Sequence, residues 1–525
     1  LKDTSEGKID ECRKTIRETL LDICEKGFDQ QRLNALINRD EFSERELNTS
    51  RPKGLMFFSR AFRRWLYGDD PAAAMALTAI YAKLRAGVAH GMFESIVRDK
   101  ILGNKHHAEI VLFPDAGLEK RRVAEEKRRM AAVRDAMSEA DLERLQEDVA
   151  KQKEYQQRKD SSDDIAKIPR LKSAELSPTG IPVSSERQNA NGVVRIKTKT
   201  TADGVFYLIL YFPMDGLTAD ELLRMPLFAK LHGKLRTSRR SAFELQTEIA
   251  ANIGRISYST VSTERGRYFK VSVASLLEKR DATFELLKEV LLDTRFEDRP
   301  EIEAVLRQKQ FAAERGVSRD GRDIALRYAR RSIGERWMVS DLLHGERQLQ
   351  WLQGTSADET LVKWYADVAS RLFRNDGMVV SYTDNLADGS VDELLASFGG
   401  GTVEKQAIRT IPNQLRGFSI AGDTGFAVWV AKLPDGVTEN GAMRVAAKIL
   451  SLEYLHNEVR EIGGAYGVMM RVTPSGLVEC FSYRDPTPVR SLQKMSGLGG
   501  ALRRFVESGA DIDRYIVATI AAMEP

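Results

Sequence analysis

The 525-residue sequence predicts an α+β fold: repeated sheet-plus-helices domains with a long helical hairpin acting as a linker between two of them. Three observations carry that prediction. The first is an internal repeat. Gly204-VFYLILYF-Pro213 followed by Gly216-Leu-Thr218 matches Gly425-FAVWVAKL-Pro434 followed by Gly436-Val-Thr438, with glycine and proline nine residues apart both times. Each copy reads as a buried strand running into a helix start. The second is the pattern downstream of each copy. Ile253-Gly254 leads to a hairpin turning at Glu264-Arg265-Gly266, and Ile462-Gly463 leads to one turning at Pro474-Ser475-Gly476, with helices after both. The third is the stretch from about Ala116 to Lys167, rich in charge and helix formers and broken at Met137-Ser138. Ser138 and Asp141 read there as a capping box, and Leu142, Leu145 and Val149 as a stripe on the second of two antiparallel helices.

Taken in order, residues 9–25 read as a helix stopped by Gly27, and Phe28 to Leu47 as a second. Gly54 to Leu66 continues helical, with Phe58, Phe62, Trp65 and Leu66 on one face. That face is expected to be core, backed by solvated Arg60, Arg63 and Arg64. Asn104 to Pro114 reads as a closing strand, and the Ser- and Pro-rich stretch Ser173 to Asn191 as a surface connector. Phe28 to Phe42 resembles Phe296 to Phe311, the late helices of a copy, so the chain is expected to open inside an earlier domain. By the same comparison the last copy is expected to be cut short. The expected division is 1–115, the C-terminal part of a preceding domain; 116–171, the helical hairpin; 172–402, a third α+β domain; and 403–525, a fourth.

Composition excludes some classes of function. Lys and Arg number 80 against 76 Asp and Glu, so the near balance gives no basic stripe of the kind that grips nucleic acid. The best apolar run, Phe206 to Phe212, falls far short of a membrane span. Three cysteines, Cys12, Cys24 and Cys480, make neither a disulfide framework nor a metal clip, which fits a reducing compartment or thiols in cores. Neither a G-x-S-x-G nucleophile elbow nor a G-x-x-x-x-G-K-[ST] phosphate loop is present. Gly399-Gly400-Gly401 reads as a helix stop and domain linker.

The chemistry-bearing stretch is REIGGAYGVMMRVTPSGLVECFSYRDP, Arg460 to Pro486. A helix ends here, passes through Gly463 and Gly464, and feeds a hairpin, so the glycine pair allows close backbone approach and sets Tyr466 just inside the first strand. A guanidinium and a phenol are suitable donors for a scissile carbonyl or a peptide backbone. The bland alternative is that Arg460 satisfies the helix dipole and Tyr466 is a half-buried strand aromatic. Arg484 and Asp485 are expected to tie the strand end to a neighbouring helix.

GGAYG followed by FSYRDP resembles the last domain of the presequence proteases and falcilysin, the long single-chain branch of the pitrilysin and insulin-degrading enzyme superfamily. GFDQQRLNALINRDEFSERELN, RAFRRWLYGDDP, the charged helical stretch ending KIPRL, and DIDRYIVATI also agree with that family. The resemblance implies the pitrilysin and processing-peptidase type of domain and an enclosed chamber that admits unfolded peptides. It also implies that Arg460 and Tyr466 reach the peptide being cut, with Gly463, Gly464 and Ala465 beside it as substrate-binding positions.

The family's zinc needs H-x-x-E-H on a helix. His90, His232, His344 and His456 each lack the rest of the motif, and the adjacent His106 and His107 would face opposite ways on a strand. The resemblance therefore places zinc on an N-terminal catalytic half outside this sequence, in the same or a separate chain, with no metal site here and no activity for this part alone. The other reading is a non-catalytic, chamber-forming subunit that pairs with a separate zinc-bearing chain. By resemblance, a mitochondrial or plastid-like organelle lumen or a bacterial cytoplasm fits, with neither nucleic acid nor membrane as partner.

Overall fold

The computed structural model describes residues 4–46, 53–158, 160–177, 179–180, 182–190, 192–200, 204–401, 403–412 and 414–523. The chain divides into two compact units, one made of 1–28 and 91–172 and the other of 29–90 and 173–525.

In the first unit the helix Ile9–Lys26 ends at Gly27, whose φ of 80° gives the left-handed stop that glycine tolerates best. The helices Leu118–Ala136 and Glu139–Gln157 meet at Met137-Ser138, and the capping box between Ser138 and Asp141 is present in both directions. Leu145 and Val149 of the anticipated stripe are exposed. The expected strand at Asn104 to Pro114 does not form. The segment is extended but pairs with no strand among the described residues, and Ile110, Leu112 and Phe113 face solvent. An alternating apolar run becomes a strand only when a ladder partner satisfies its backbone.

The second unit holds both sheets. Strands β1 (Ser185–Ala190), β2 (Val193–Thr198), β3 (Val205–Pro213), β4 (Arg255–Thr263), β5 (Gly266–Leu276) and β6 (Val379–Thr383) lie in the order β1-β2-β6-β3-β5-β4, with β2 and β6 parallel and the rest antiparallel. Strand β1 lies inside the stretch expected to be a connector, and its pairing with β2 makes it the sheet's edge. Phe206, Leu208, Leu210 and Phe212 alternate along β3 and are fully buried. Each contributes roughly 2 kcal/mol of apolar burial. Over this face pack the helices Ala219–Leu231, started by a capping box at Thr218 and Glu221, and Arg280–Leu292.

Strands β7 (Val428–Lys432), β8 (Gly467–Val472) and β9 (Leu477–Tyr483) form a smaller antiparallel sheet in the order β7-β9-β8. That order and those directions repeat β3-β5-β4, so the sequence repeat is also a structural one. The loop into the second copy is clamped by Arg267. Its buried guanidinium donates to the carbonyls of Met214 (3.1 Å), Asp215 (2.6 Å) and Gln406 (2.6 Å).

The helix Lys53–Trp65 corrects a second expectation. Its stripe is not core: Phe58 is 57% exposed and Trp65 66%. It turns its other face inward, where Arg60 pairs with Glu44 and touches Met56. An ion pair and a thioether hold that side, leaving the aromatic stripe uncovered among the described residues.

Candidate functional site

The helix Gly441–Ile449, capped by Asn440 onto the Met443 N–H at 3.1 Å, continues as π-type turns over Leu450–Glu461. The wider ladder is visible where the Ile462 N–H reaches back five residues to the Asn457 carbonyl, at 3.0 Å. Leu455 and Val459 hold this segment in the core beneath the sheet, while Arg460 in its last turn is exposed. Ser451 accepts the Met470 N–H at 2.9 Å, tying the π segment to β8.

The helix then closes in a reversed pair of bonds. Gly464 N–H donates to the Arg460 carbonyl (2.8 Å) and Ala465 N–H to the Val459 carbonyl (3.1 Å). This is a Schellman-like stop, one residue wider than the α-helical form. The two glycines serve different purposes. Gly464 has φ of 78°, whereas a Cβ at Gly463 would lie 2.4 Å from the Val459 carbonyl oxygen. Ala465 buries its methyl, and Tyr466, next in line, is 68% exposed. The Gly464 and Ala465 donors are spent inside the turn, so what this stretch offers outward is its shape and the phenol.

The FSYRDP segment fastens the turn from the other side. Tyr466 N–H donates to the Arg484 carbonyl at 3.2 Å, Pro486 packs against Gly464, and the Thr487 hydroxyl reaches the Gly463 carbonyl at 3.4 Å. Asp485 is fully buried; its backbone bonds twice with Gly425 (2.7 and 2.9 Å) and its Oδ1 accepts the Thr487 N–H at 2.8 Å. So the segment ties mainly to the glycine turn and to the strand before β7, with Thr487 leading into the helix Pro488–Met495. Arg484 has φ of 45°, the one positive value at a non-glycine residue among those described. That conformation costs about 1 kcal/mol and persists because its neighbours are pinned.

Sequence reasoning missed the aromatic surround. The Tyr466 ring meets the Tyr483 ring edge-on at 6.0 Å, and Tyr483 in turn meets Phe426 at 5.7 Å. Arg322 and Arg484 stand over Tyr483 at 5.7 and 5.6 Å. The alternation of Phe481 and Tyr483 along β9 was the available signal; the approach of Arg322 from the first sheet's helices was not visible. Behind the site, fully buried Glu479 pairs with Arg330 (2.6 Å) and Arg471 (2.8 Å). Burial pushes the Cys480 thiol up to about 12, which leaves no thiolate for nucleophilic chemistry near neutrality. Among the described residues no group of three or more His, Cys, Asp or Glu is placed to hold a metal ion. No helix among them is long and apolar enough to cross a membrane. A cavity of about 900 Å³ lies elsewhere, lined by Phe42, Arg85, Tyr207 and Asn252 among others, and takes in none of the expected site residues.

Comparison with known proteins places this architecture. Residues 112–354 match the peptidase-associated family of metallopeptidase subfamily 16C, and residues 430–525 match the PreP C-terminal domain. Protein HypA of Clostridium perfringens is 24% identical over 99% of this chain and 55% of its own length. Presequence protease 1 of Arabidopsis thaliana, chloroplastic/mitochondrial, is 26% identical over 100% of this chain and 51% of its own. The chain thus spans about half the length of these relatives. A conserved protein from Enterococcus faecalis V583 shares the fold, with a TM-score of 0.50 and 14% identity over 65% of this chain and 84% of that one. The chain belongs to the pitrilysin family of peptidases and corresponds to the C-terminal half of a presequence-protease-like member.

Proposed function

We propose that this chain is the non-zinc-binding half of a zinc metalloendopeptidase that degrades unfolded peptides inside a chamber, and that it supplies substrate-binding and transition-state residues. In this reading residues 1–115 complete a preceding domain, 116–171 form the linking hairpin, and 172–402 and 403–525 are the third and fourth peptidase-like domains. The observation that carries the reading is the exposed Tyr466 phenol, held at the mouth of β8 by the Gly463-Gly464 turn with exposed Arg460 in the preceding helical turn.

The described residues of this chain do not fit a zinc site, so the metal is assigned to the other half and no step here runs through it. Tyr466 donates its O–H to the scissile carbonyl oxygen as negative charge builds there, and Arg460 holds a neighbouring peptide carbonyl or shares that charge. Gly463, Gly464 and Ala465 form the backbone ledge along which the peptide lies. Because the ledge is rigid before substrate arrives, the donors need no rearrangement at the moment of reaction.

Changing Tyr466 to Phe in the complete enzyme removes one hydroxyl from an exposed ring. It is expected to lower kcat about 100-fold with the melting temperature unchanged. An unchanged kcat would overturn the assignment.

A further inference from the structure

The exposed cations around Tyr466 differ in whether an acid already neutralises them. Arg322, one of the two guanidinium groups over Tyr483, is hydrogen-bonded to Asp323. Arg471, stacked on Phe481, is paired with Glu479. Arg484 is exposed, stands over Tyr483 at 5.6 Å, and makes no ion pair among the described residues. Its backbone is also the one non-glycine position described with a left-handed φ. Arg484 is fixed on both flanks, by its carbonyl on the Tyr466 N–H and by the double backbone bond between Asp485 and Gly425. The chain thus retains an unfavourable conformation at the residue that directly opposes Tyr466.

We propose that Arg484 is a further substrate-binding and specificity-determining residue of the Tyr466 site, and that it selects peptides presenting a carboxylate close to the bond being cut. This rests on the functional reading above. The stacked guanidinium keeps its planar donors free at the rim of the Tyr483 ring, the arrangement suited to a carboxylate taken in two parallel hydrogen bonds. The carboxylate comes either from an Asp or Glu side chain or from the peptide's own C-terminus. Stacking on Tyr483 also restricts the arginine's rotamers before substrate binds, so less freedom is lost on binding.

The test is kcat/KM of the complete enzyme on matched quenched-fluorescence peptides: one with Glu near the cut, one with Gln there, and short versions with a free or an amidated C-terminus. The variants are Tyr466→Phe, Arg484→Gly and Arg484→Lys. Arg484→Gly removes the side chain and also suits the positive φ, so loss of fold does not cloud the result. The expected result is that Arg484→Gly lowers kcat/KM about tenfold, through KM, for carboxylate-bearing peptides only, and that Arg484→Lys restores part of it. Loss confined to the Glu peptide identifies the side chain as the source; loss confined to the free C-terminus identifies the terminus. Equal loss on charged and neutral peptides, or no loss on either, overturns the inference while leaving the Tyr466 reading intact. An unaffected Tyr466→Phe variant overturns that reading itself, and with it the inference.

Discussion

At Gly463 and Gly464 two adjacent residues of one type are required for unrelated reasons, and substitution separates them. Gly463→Ala would press a methyl to 2.4 Å from a helix carbonyl, so the turn must open. The expected cost is about 2–3 kcal/mol, read from urea unfolding, together with lost activity because Tyr466 moves with the turn. Gly464→Ala meets only the edge of Pro486, at 3.3 Å, and pays for its φ of 78° with about 1 kcal/mol. If Gly464→Ala proves the more damaging, this account of the turn is wrong. Buried histidines give a second prediction at this scale. His232 donates from Nδ1 to the Phe228 carbonyl at 2.9 Å and is walled in by Phe228, Phe269, Phe296 and Phe373; burial pushes its imidazole down to about 4. Burial pushes His344, held against Thr260, down to about 4 as well. Below the usual 6.5 the unfolded chain takes up protons that the folded one refuses. Stability is therefore full above about pH 6.5 and falls as pH drops toward 4, by about 3 kcal/mol for each ring at full extent. Urea midpoints measured from pH 7 to 4.5 should show that slope, and His232→Phe should flatten it; a slope unchanged by the substitution would contradict this.

Among elements, what the sequence made legible was whatever is written in local pattern. The β3 alternation, the matching Gly-to-Pro frames of β3 and β7, the Ser138 cap and the Gly27 stop all came from residues whose neighbours along the chain decide their conformation. What stayed hidden depends on partners distant in sequence. The aromatic stripe of Lys53–Trp65 has a core-like period but nothing over it among the described residues, and Asn104–Pro114 alternates without a ladder. Arg460 and Tyr466 were legible as a motif, but the π-type turns that carry the arginine, the left-handed Arg484 and the Tyr483 platform were not, because none follows from periodicity. The link between the two sheets is likewise non-local: Arg330, at the end of a helix following the first sheet's strands, reaches fully buried Glu479 of β9. Glu479→Ala would leave Arg330, with only 14% of its side chain exposed, without its carboxylate. That loss is expected to destabilise the protein by about 3 kcal/mol, read from chemical unfolding. A change below about 0.5 kcal/mol would mean the pair is incidental.

For the whole molecule, the repeat suggests a division of labour. The β3-β5-β4 and β7-β9-β8 sheets share one order and one set of directions, yet only the second carries a glycine turn with an exposed phenol at the mouth of its hairpin. At the equivalent place the first copy has Ile253-Gly254, where Phe42 packs over the glycine, 2.4 Å from where a Cβ would lie. One copy has thus used its hairpin mouth for packing, and the other leaves it open for a peptide. The central claim is that Tyr466 acts on the transition state rather than on the resting substrate, and a phosphinic peptide, which mimics the tetrahedral species, tests it most directly. For the complete enzyme carrying Tyr466→Phe, the inhibition constant of that peptide should rise by the same factor by which kcat/KM falls, with KM nearly constant. An inhibition constant unmoved by the substitution would contradict the claim and return Tyr466 to the role of a surface aromatic.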